Sequence, residues 1–464
     1  MNSNQKRIAS QINFEKNAFL KDDAEISLTK ILGSEQCQDI IANCREFRER
    51  IYTPLDTLLM FIKQVISPDK SCKNIVTEII AKYIADGKES PSNNTGPYTK
   101  ARDRLPEKTV RDLVKTVGTM AEDKTPKKWK WQGKNLKGID GTTLLMPDTK
   151  ENQKVFPQHG QQEEGVGFPI TRLVAIMSLS TGVVLDYAMS SYQGKGTGES
   201  SLLRGIFDNI KSDDVILGDA YFPSYFFVHD LLKIGADGVF QGQGQRNYDF
   251  RKGDSLGKKD HIVEWKKPQR ATWMSEEQYQ IYPDTIRVRE FKVNGKIYVT
   301  TFLQAKKFNK KELAGLYQLR WLCEINLRSI KTIMKMDMLS CKTPDMIRKE
   351  IGIHFLAYNM IRIIMAEACS KYSGIPNQIS FKGAVQIINQ FMPILSCKGI
   401  SSKLIFDKML RLIVKNKIGN RPGRQEPRAV KRRRKLFPLL HVNRSIAKMK
   451  LKKERNRTVF RNAA

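Results

Sequence analysis

The sequence predicts a mixed α/β protein with a helical unit before it and a strongly basic segment behind it. Residues 136–145, 171–180 and 182–190 are β-branched or apolar runs parted by Gly and Ser, the pattern of adjoining strands in a meander. DDVILGDAYF, SYFFVHDLLKIG and ADGVFQG then alternate strand, helix and strand, which adds the α/β character. The composition finally shifts at residues 415–464, where 18 Lys and Arg face two Glu.

In chain order, residues 1–125 read as helical. Residues 40–47, 55–66 and 71–85 carry helical apolar spacing, and DGKESPSNNTGP is dense in turn formers. Behind it, Lys100, Arg102 and Arg104 precede Pro106 and a further helix, an arrangement that suits a DNA-binding helical unit and equally a helical assembly domain. KTPKKWKWQGK then reads as a basic linker with Trp129 and Trp131. The first part of the α/β domain spans residues 126–242. Within it, KENQKVFPQHGQQEEGVGFP is a polar, Gly-rich loop, and SLLRGIFDNI is a helix. Residues 243–300 break the rhythm: HIVEW, DTIRVREFKV and GKIYVTTFL are strand-like pieces among charged turns, predicting a mostly β insertion. Residues 301–395 resume the domain with a helix capped by Asn309 and apolar helical segments at 351–372 and 381–395 that can cover a sheet. Residues 396–464 form the basic C-terminal region.

With 464 residues the chain exceeds a usual single core, so two or three domains are expected. A net charge of +32 and a pI near 9.8 point to a polyanionic partner, nucleic acid before an anionic membrane surface. Mean hydropathy is −0.44, no run of 18 apolar residues occurs, and the N-terminus lacks a signal-type apolar stretch, so a cytosolic, nucleoid-associated protein is expected. Seven cysteines without a CxxC pair read as reduced thiols rather than a zinc site. His159 and His229 read as structural.

Residues 317–331, YQLRWLCEINLRSIK, contain strong helix formers and no Gly or Pro. Tyr317, Arg320, Glu324 and Lys331 fall on one face of a continuous α-helix. Such a stripe can hold a metal with its acid and grip phosphate with its bases. It also contains the i,i+4 pairs Arg320/Glu324 and Glu324/Arg328 of any solvated helix, and spacing alone leaves that plainer reading ahead. Two further acids change the balance. Asp140 sits in the first strand and Asp219 at the end of VILGD, where an acid is costly to bury unless paired or metal-bound. If the first and fourth strands are neighbours, the two meet at one edge within reach of Glu324. Three carboxylates without His or Cys describe two Mg²⁺ or Mn²⁺ ions rather than zinc.

The order of Asp140 in GIDGTTLLMPDT, Asp219 in VILGDAYF, a β insertion and Tyr317-x2-Arg320-x3-Glu324-x6-Lys331 resembles the IS4-family DDE transposases with their Tyr-Arg-Glu-Lys signature. GVGFPITRLVAIMSL and RPGRQEPRAVKRRRKLFPLL extend the similarity to roughly residues 98–440. The resemblance implies an RNase H-like mixed sheet with flanking helices, interrupted by the β insertion. It implies catalytic, metal-holding roles for Asp140, Asp219 and Glu324, and cut-and-paste transposition through a DNA hairpin. Tyr317, Arg320 and Lys331 would grip phosphates near the transposon end, with Arg328 beside them. Lys100, Arg102, Arg104, Arg424, Arg428, Arg432 and Arg433 would follow the backbone. A flipped base would stack on Trp265, preferred over Trp273. The implied partners are double-stranded DNA, at transposon ends and target, and a second copy of the chain in a synaptic complex. The competing reading is a catalytically inactive or domesticated DNA-binding protein of the same fold.

Overall fold

The computed structural model describes residues 31–44, 51–395, 402–419 and 440–461, with side chains up to 454. Its N-terminal part is helical: α1 (Glu35–Ala42), α2 (Pro54–Ile66), α3 (Cys72–Ala85), α4 (Gly96–Arg104) and α5 (Glu107–Asp123). Local chemistry sets their starts. Thr53 accepts from the Asp56 N–H ahead of Pro54, and Ser71 does the same for Asn74, so each helix opens with a side-chain cap.

Nine strands form one sheet in the order β3-β2-β1-β4-β5-β9-β8-β7-β6. The meander is β1 (Asn135–Leu145), β2 (Ile170–Ser178) and β3 (Val184–Ser191), with both pairings antiparallel. A short α6 (Lys150–Val155) stands inside the stretch expected to be loop, because Thr149 caps it. After α7 (Glu199–Arg204), β4 (Asp214–Gly218) lies parallel to β1, and after α8 (Tyr225–Lys233), β5 (Asp237–Gln241) lies parallel to β4. Five strands ordered 3-2-1-4-5 with only β2 reversed make the RNase H-like sheet.

The insertion supplies β6 (Asp254–Gly257), β7 (Asp260–Lys266), α9 (Glu276–Gln280), β8 (Thr285–Val293) and β9 (Lys296–Thr300). Rather than folding as a sheet of its own, it lengthens the first one, because β9 pairs antiparallel with β5 at Val239↔Thr300 and Phe240↔Val299. It keeps a small core around Trp265, Ile286, Val288 and Val299, packed on Tyr225 and Phe226 of α8. The expected basic linker is likewise built into the fold. Trp131 packs on Phe302 and Phe308 with ring centroids 5.7 and 6.0 Å away, and the Ser180 hydroxyl donates to the Trp129 carbonyl.

Then follow α10 (Lys310–Gln318), α11 (Trp321–Arg328), a π-helical turn (Ser329–Ile333), α12 (Pro344–Lys371), α13 (Phe381–Leu395), α14 (Ser402–Lys415) and α15 (Arg444–Arg461). The 28-residue α12 is long and apolar enough to cross a membrane, yet it is the buried core helix. Its polar groups are placed on backbone partners: Asn359 brackets Val184, accepting from its N–H at 2.7 Å and donating to its carbonyl at 2.8 Å, and Arg362 donates to the Thr181 carbonyl at 2.7 Å. One apolar cluster runs through Leu58 and Phe61 of α2, Leu113 of α5, Leu173 of β2 and Phe355 of α12. The N-terminal helices therefore share their core with the sheet.

Candidate active site

The two aspartates reach one level of the sheet through strand register. Gly138 of β1 lies opposite Leu217 of β4 in a parallel pairing, so Asp140 and Asp219, each two residues further, leave the pair at the same height. Asp219 stands just past its strand and accepts from the Tyr221 N–H at 2.8 Å. Asp140 remains in β1 and accepts from the Gly141 N–H at 3.0 Å.

Glu324 arrives on α11, which is pressed onto β1 by a missing side chain. A Cβ at Gly138 would lie 2.0 Å from the Cys323 sulfur, so only glycine lets the helix come this close. Burial pushes the Asp140 carboxyl up to about 6; the Arg320 guanidinium and the Gly141 N–H pull it down, and the Glu324 and Asp219 charges add to the rise. The charges of Glu324 and Asp219 thus both reach Asp140. They are not gathered into a cage: among the described residues, no three His, Cys, Asp or Glu side chains are grouped to hold an ion. One reason is local. The Glu324 carboxylate accepts from the Arg320 guanidinium at 2.5 Å.

The expected continuous helix over residues 317–331 is broken twice. At Leu319 and Arg320 the backbone turns by i→i−3 bonds, Leu319 N–H to Leu316 and Arg320 N–H to Tyr317, before α11 begins. Ser329–Ile333 is then wound as a π turn. These breaks redistribute the signature residues. Lys331 turns to β1 and donates to Thr142 Oγ1 and the Thr143 carbonyl, both at 3.0 Å, which uses two of its three protons. Tyr317 is buried, its ring edge against Tyr298 at 5.3 Å and its face 5.9 Å from the Arg320 guanidinium carbon. It therefore orients Arg320 from inside the fold. Arg328 is exposed on the outer side of α11.

Two expected DNA contacts are corrected by burial. Arg102 is 7% exposed, donates to Gln64 Oε1 at 3.2 Å and lies over the rings of Phe61 and Tyr98, so its charge serves the helical core. Trp265 is 4% exposed, donates from Nε1 to Glu290 at 2.8 Å, and has the Arg246 guanidinium 3.6 Å over its ring, leaving no face for a base. Trp273 is more open, with Arg204 stacked on it at 3.7 Å. Lys100 is exposed and Arg104 half-buried. Arg424, Arg428, Arg432 and Arg433 lie outside the described residues.

One residue escaped the sequence reading. Trp321, directly after Arg320, is 53% exposed and borders an open cleft of about 390 Å³ with Asn294, Lys296, Tyr298, Tyr317 and Arg320. An aromatic at the start of α11 that breaks the apolar spacing was the available signal.

Residues 131–360 match the family model described as "Transposase DDE domain", a span that contains all three acids and the four signature positions. The chain is 26% identical over 351 residues to the transposase InsG for insertion sequence element IS4 of Escherichia coli (strain K12), covering 73% of this chain and 77% of that one. Among solved structures it is similar to the piggyBac transposase synaptic complex with hairpin DNA, at 10% identity, 86% coverage of each chain and a TM-score of 0.44. By its domain match and its curated relative, the chain belongs to the IS4-family DDE transposases.

Proposed function

We propose that this transposase cuts DNA at the terminal inverted repeats of its element and joins the freed 3′-OH ends to target DNA, passing through a hairpin, with Asp140, Asp219 and Glu324 as its catalytic acids. The observation that carries the reading is the shared level of Asp140 and Asp219 in the β1–β4 register, with the helix that bears Glu324 brought onto β1 at the Gly138–Cys323 contact. The donors are oxygen atoms only, a chemistry that fits Mg²⁺ or Mn²⁺. Asp140, Asp219 and Glu324 would hold them. Such ions, when bound, supply an activated water or 3′-OH and stabilise charge on the phosphate and leaving oxygen.

The chain's own residues do the rest. Arg320, engaged with Glu324 at 2.5 Å, exchanges this carboxylate for a phosphate of the transposon end, and Glu324 is then free to join the aspartates. Lys331 fixes α11 to β1 and offers its remaining proton to the same phosphate. The cleft beside Arg320, with Trp321 on its rim and Lys296 across it, takes the base turned out of the stack when the hairpin bends. Two copies act together on paired ends.

Supercoiled plasmid carrying the element's two ends, incubated with Mg²⁺, tests the assignment. Glu324→Ala abolishes strand cleavage and leaves end binding within about twofold, on the order of 0.4 kcal/mol. A Glu324→Ala chain that still cuts excludes this acid from the reaction, and a wild-type chain that binds ends without cutting under any divalent ion favours the inactive DNA-binding reading.

A further inference from the structure

We propose that Glu199 is a fourth acid of this reaction centre, a positioning residue that acts on the cation-holding aspartates from the opposite face of the sheet. The inference rests on the assignment of Asp140 and Asp219 above and extends it to a residue outside the signature.

Side chains of β1 alternate between two faces. Gly138 and Thr142 face Cys323 and Lys331. Ile139 faces the other way, into the cluster with Leu202 and Leu203 of α7. Gly141 shares that second face. A Cβ there would lie 2.3 Å from one carboxylate oxygen of Glu199 and 2.9 Å from the other, so the acid rests directly on the backbone of the residue after Asp140. That same residue's N–H donates to Asp140. The glycine admits the carboxylate, and the carboxylate lies one peptide away from Asp140.

Nothing structural occupies it. No described residue donates a hydrogen bond to the Glu199 carboxylate. The charged groups that face it are Asp219 and Arg172. Arg172 spends a donor on the Thr197 carbonyl at 3.0 Å and lies over Tyr192 at 4.5 Å. A half-buried acid set beside a second acid, without a hydrogen-bond donor, opposes folding. Its chemistry suits a water molecule of a hydrated divalent cation, as hard carboxylates serve in the shell around a metal's direct ligands.

The test uses the full chain with an end-sequence duplex and reads Mn²⁺ binding by electron paramagnetic resonance. It also reads the Mn²⁺ concentration for half-maximal plasmid cleavage. Glu199→Gln weakens both about tenfold, with DNA affinity unchanged, and Glu199→Asp recovers part of the loss. Gly141→Ala, whose methyl would displace the carboxylate without deleting it, gives the same weakening and keeps the test alive if Glu199→Gln folds poorly. Wild-type Mn²⁺ binding in both Glu199→Gln and Gly141→Ala overturns the inference. Asp140→Asn serves as the reference: if it too binds Mn²⁺ and cuts normally, the active-site assignment fails, whereas loss in Asp140→Asn alone fails only the role of Glu199.

Discussion

Arg320 holds Glu324, four residues on, at 2.5 Å, so the proposed catalytic acid and this base neutralise each other in the DNA-free chain. Arg320→Ala separates the two functions of that contact. Mn²⁺ binding by the DNA-free chain rises because Glu324 is released, while end cleavage falls by about 10²-fold, the scale for removing one donor aimed at a reacting phosphate. Equilibrium Mn²⁺ titration and a single-turnover cleavage assay read the opposite signs; parallel losses in both would mean the pair only stabilises α11.

Gly138 sets the distance between α11 and β1. Gly138→Ala brings a methyl to 2.0 Å from the Cys323 sulfur and 3.0 Å from Leu179, and overpacking of this kind costs about 1–3 kcal/mol. Cys323→Ala in the same chain removes the sulfur, and the double variant regains most of the loss. Urea unfolding of the four proteins measures the coupling, and strict additivity would refute a direct contact.

Asp140 makes the fold pH-sensitive. Its carboxyl, raised to about 6 by burial first and then by its acidic neighbours, stands above the ordinary value of an unfolded aspartate. Both states are protonated at low pH, and the folded state loses stability as pH rises from the ordinary aspartate value through about 6, where Asp140 ionises too. Without divalent ions, Asp140→Asn is therefore more stable than wild type by about 3 kcal/mol at pH 8 and equal to it near pH 3. In wild type, protons compete for the same oxygens, so the Mg²⁺ needed for half-maximal cleavage falls between pH 5.5 and 7. Thermal melts in chelator and metal titrations across this range check both signs.

The two tryptophans part in their effects. Trp265→Phe removes the donor to Glu290 inside the small core and costs about 1–3 kcal/mol of stability. Trp321→Ala changes stability by less than about 0.5 kcal/mol. Instead it weakens the hold on a turned-out base by about 1–3 kcal/mol, read as lower fluorescence of 2-aminopurine placed near the transposon end. A lowered signal in Trp265→Phe with a normal one in Trp321→Ala would reverse the assignment.

Much of the architecture was legible because it is written locally. The meander showed in its β-branched runs, the helix after Asn309 in its cap, and the helical segments at 351–372 and 381–395 in apolar spacing, the first of which starts earlier, at Pro344; the acids showed in their placement within or just past a strand. Tertiary facts were not. Residues 317–331 have no Gly or Pro to announce their breaks, and the stretch is tied to β1 by contacts far apart in sequence, Lys331 with Thr142 and Cys323 with Gly138. Arg102 sits in a basic run that reads as surface, and only the approach of Phe61 and Gln64 from another helix draws it inward. Trp265 follows a glutamate and precedes two lysines, yet its place opposite Ile286 in the ladder points it to the core. The continuation of the sheet into the insertion depends on a pairing between residues far apart in sequence, which no local pattern encodes.

That pairing governs the order in which the molecule can be made. When β5 leaves the ribosome its outer edge has no partner, and it stays open until Lys296–Thr300 has been synthesised behind the whole insertion. An uncovered edge invites pairing with another nascent chain. Asp140 and Asp219 precede that strand in the chain, and Glu324 follows it. Synthesis itself thus delivers every strand of the sheet before Glu324 exists.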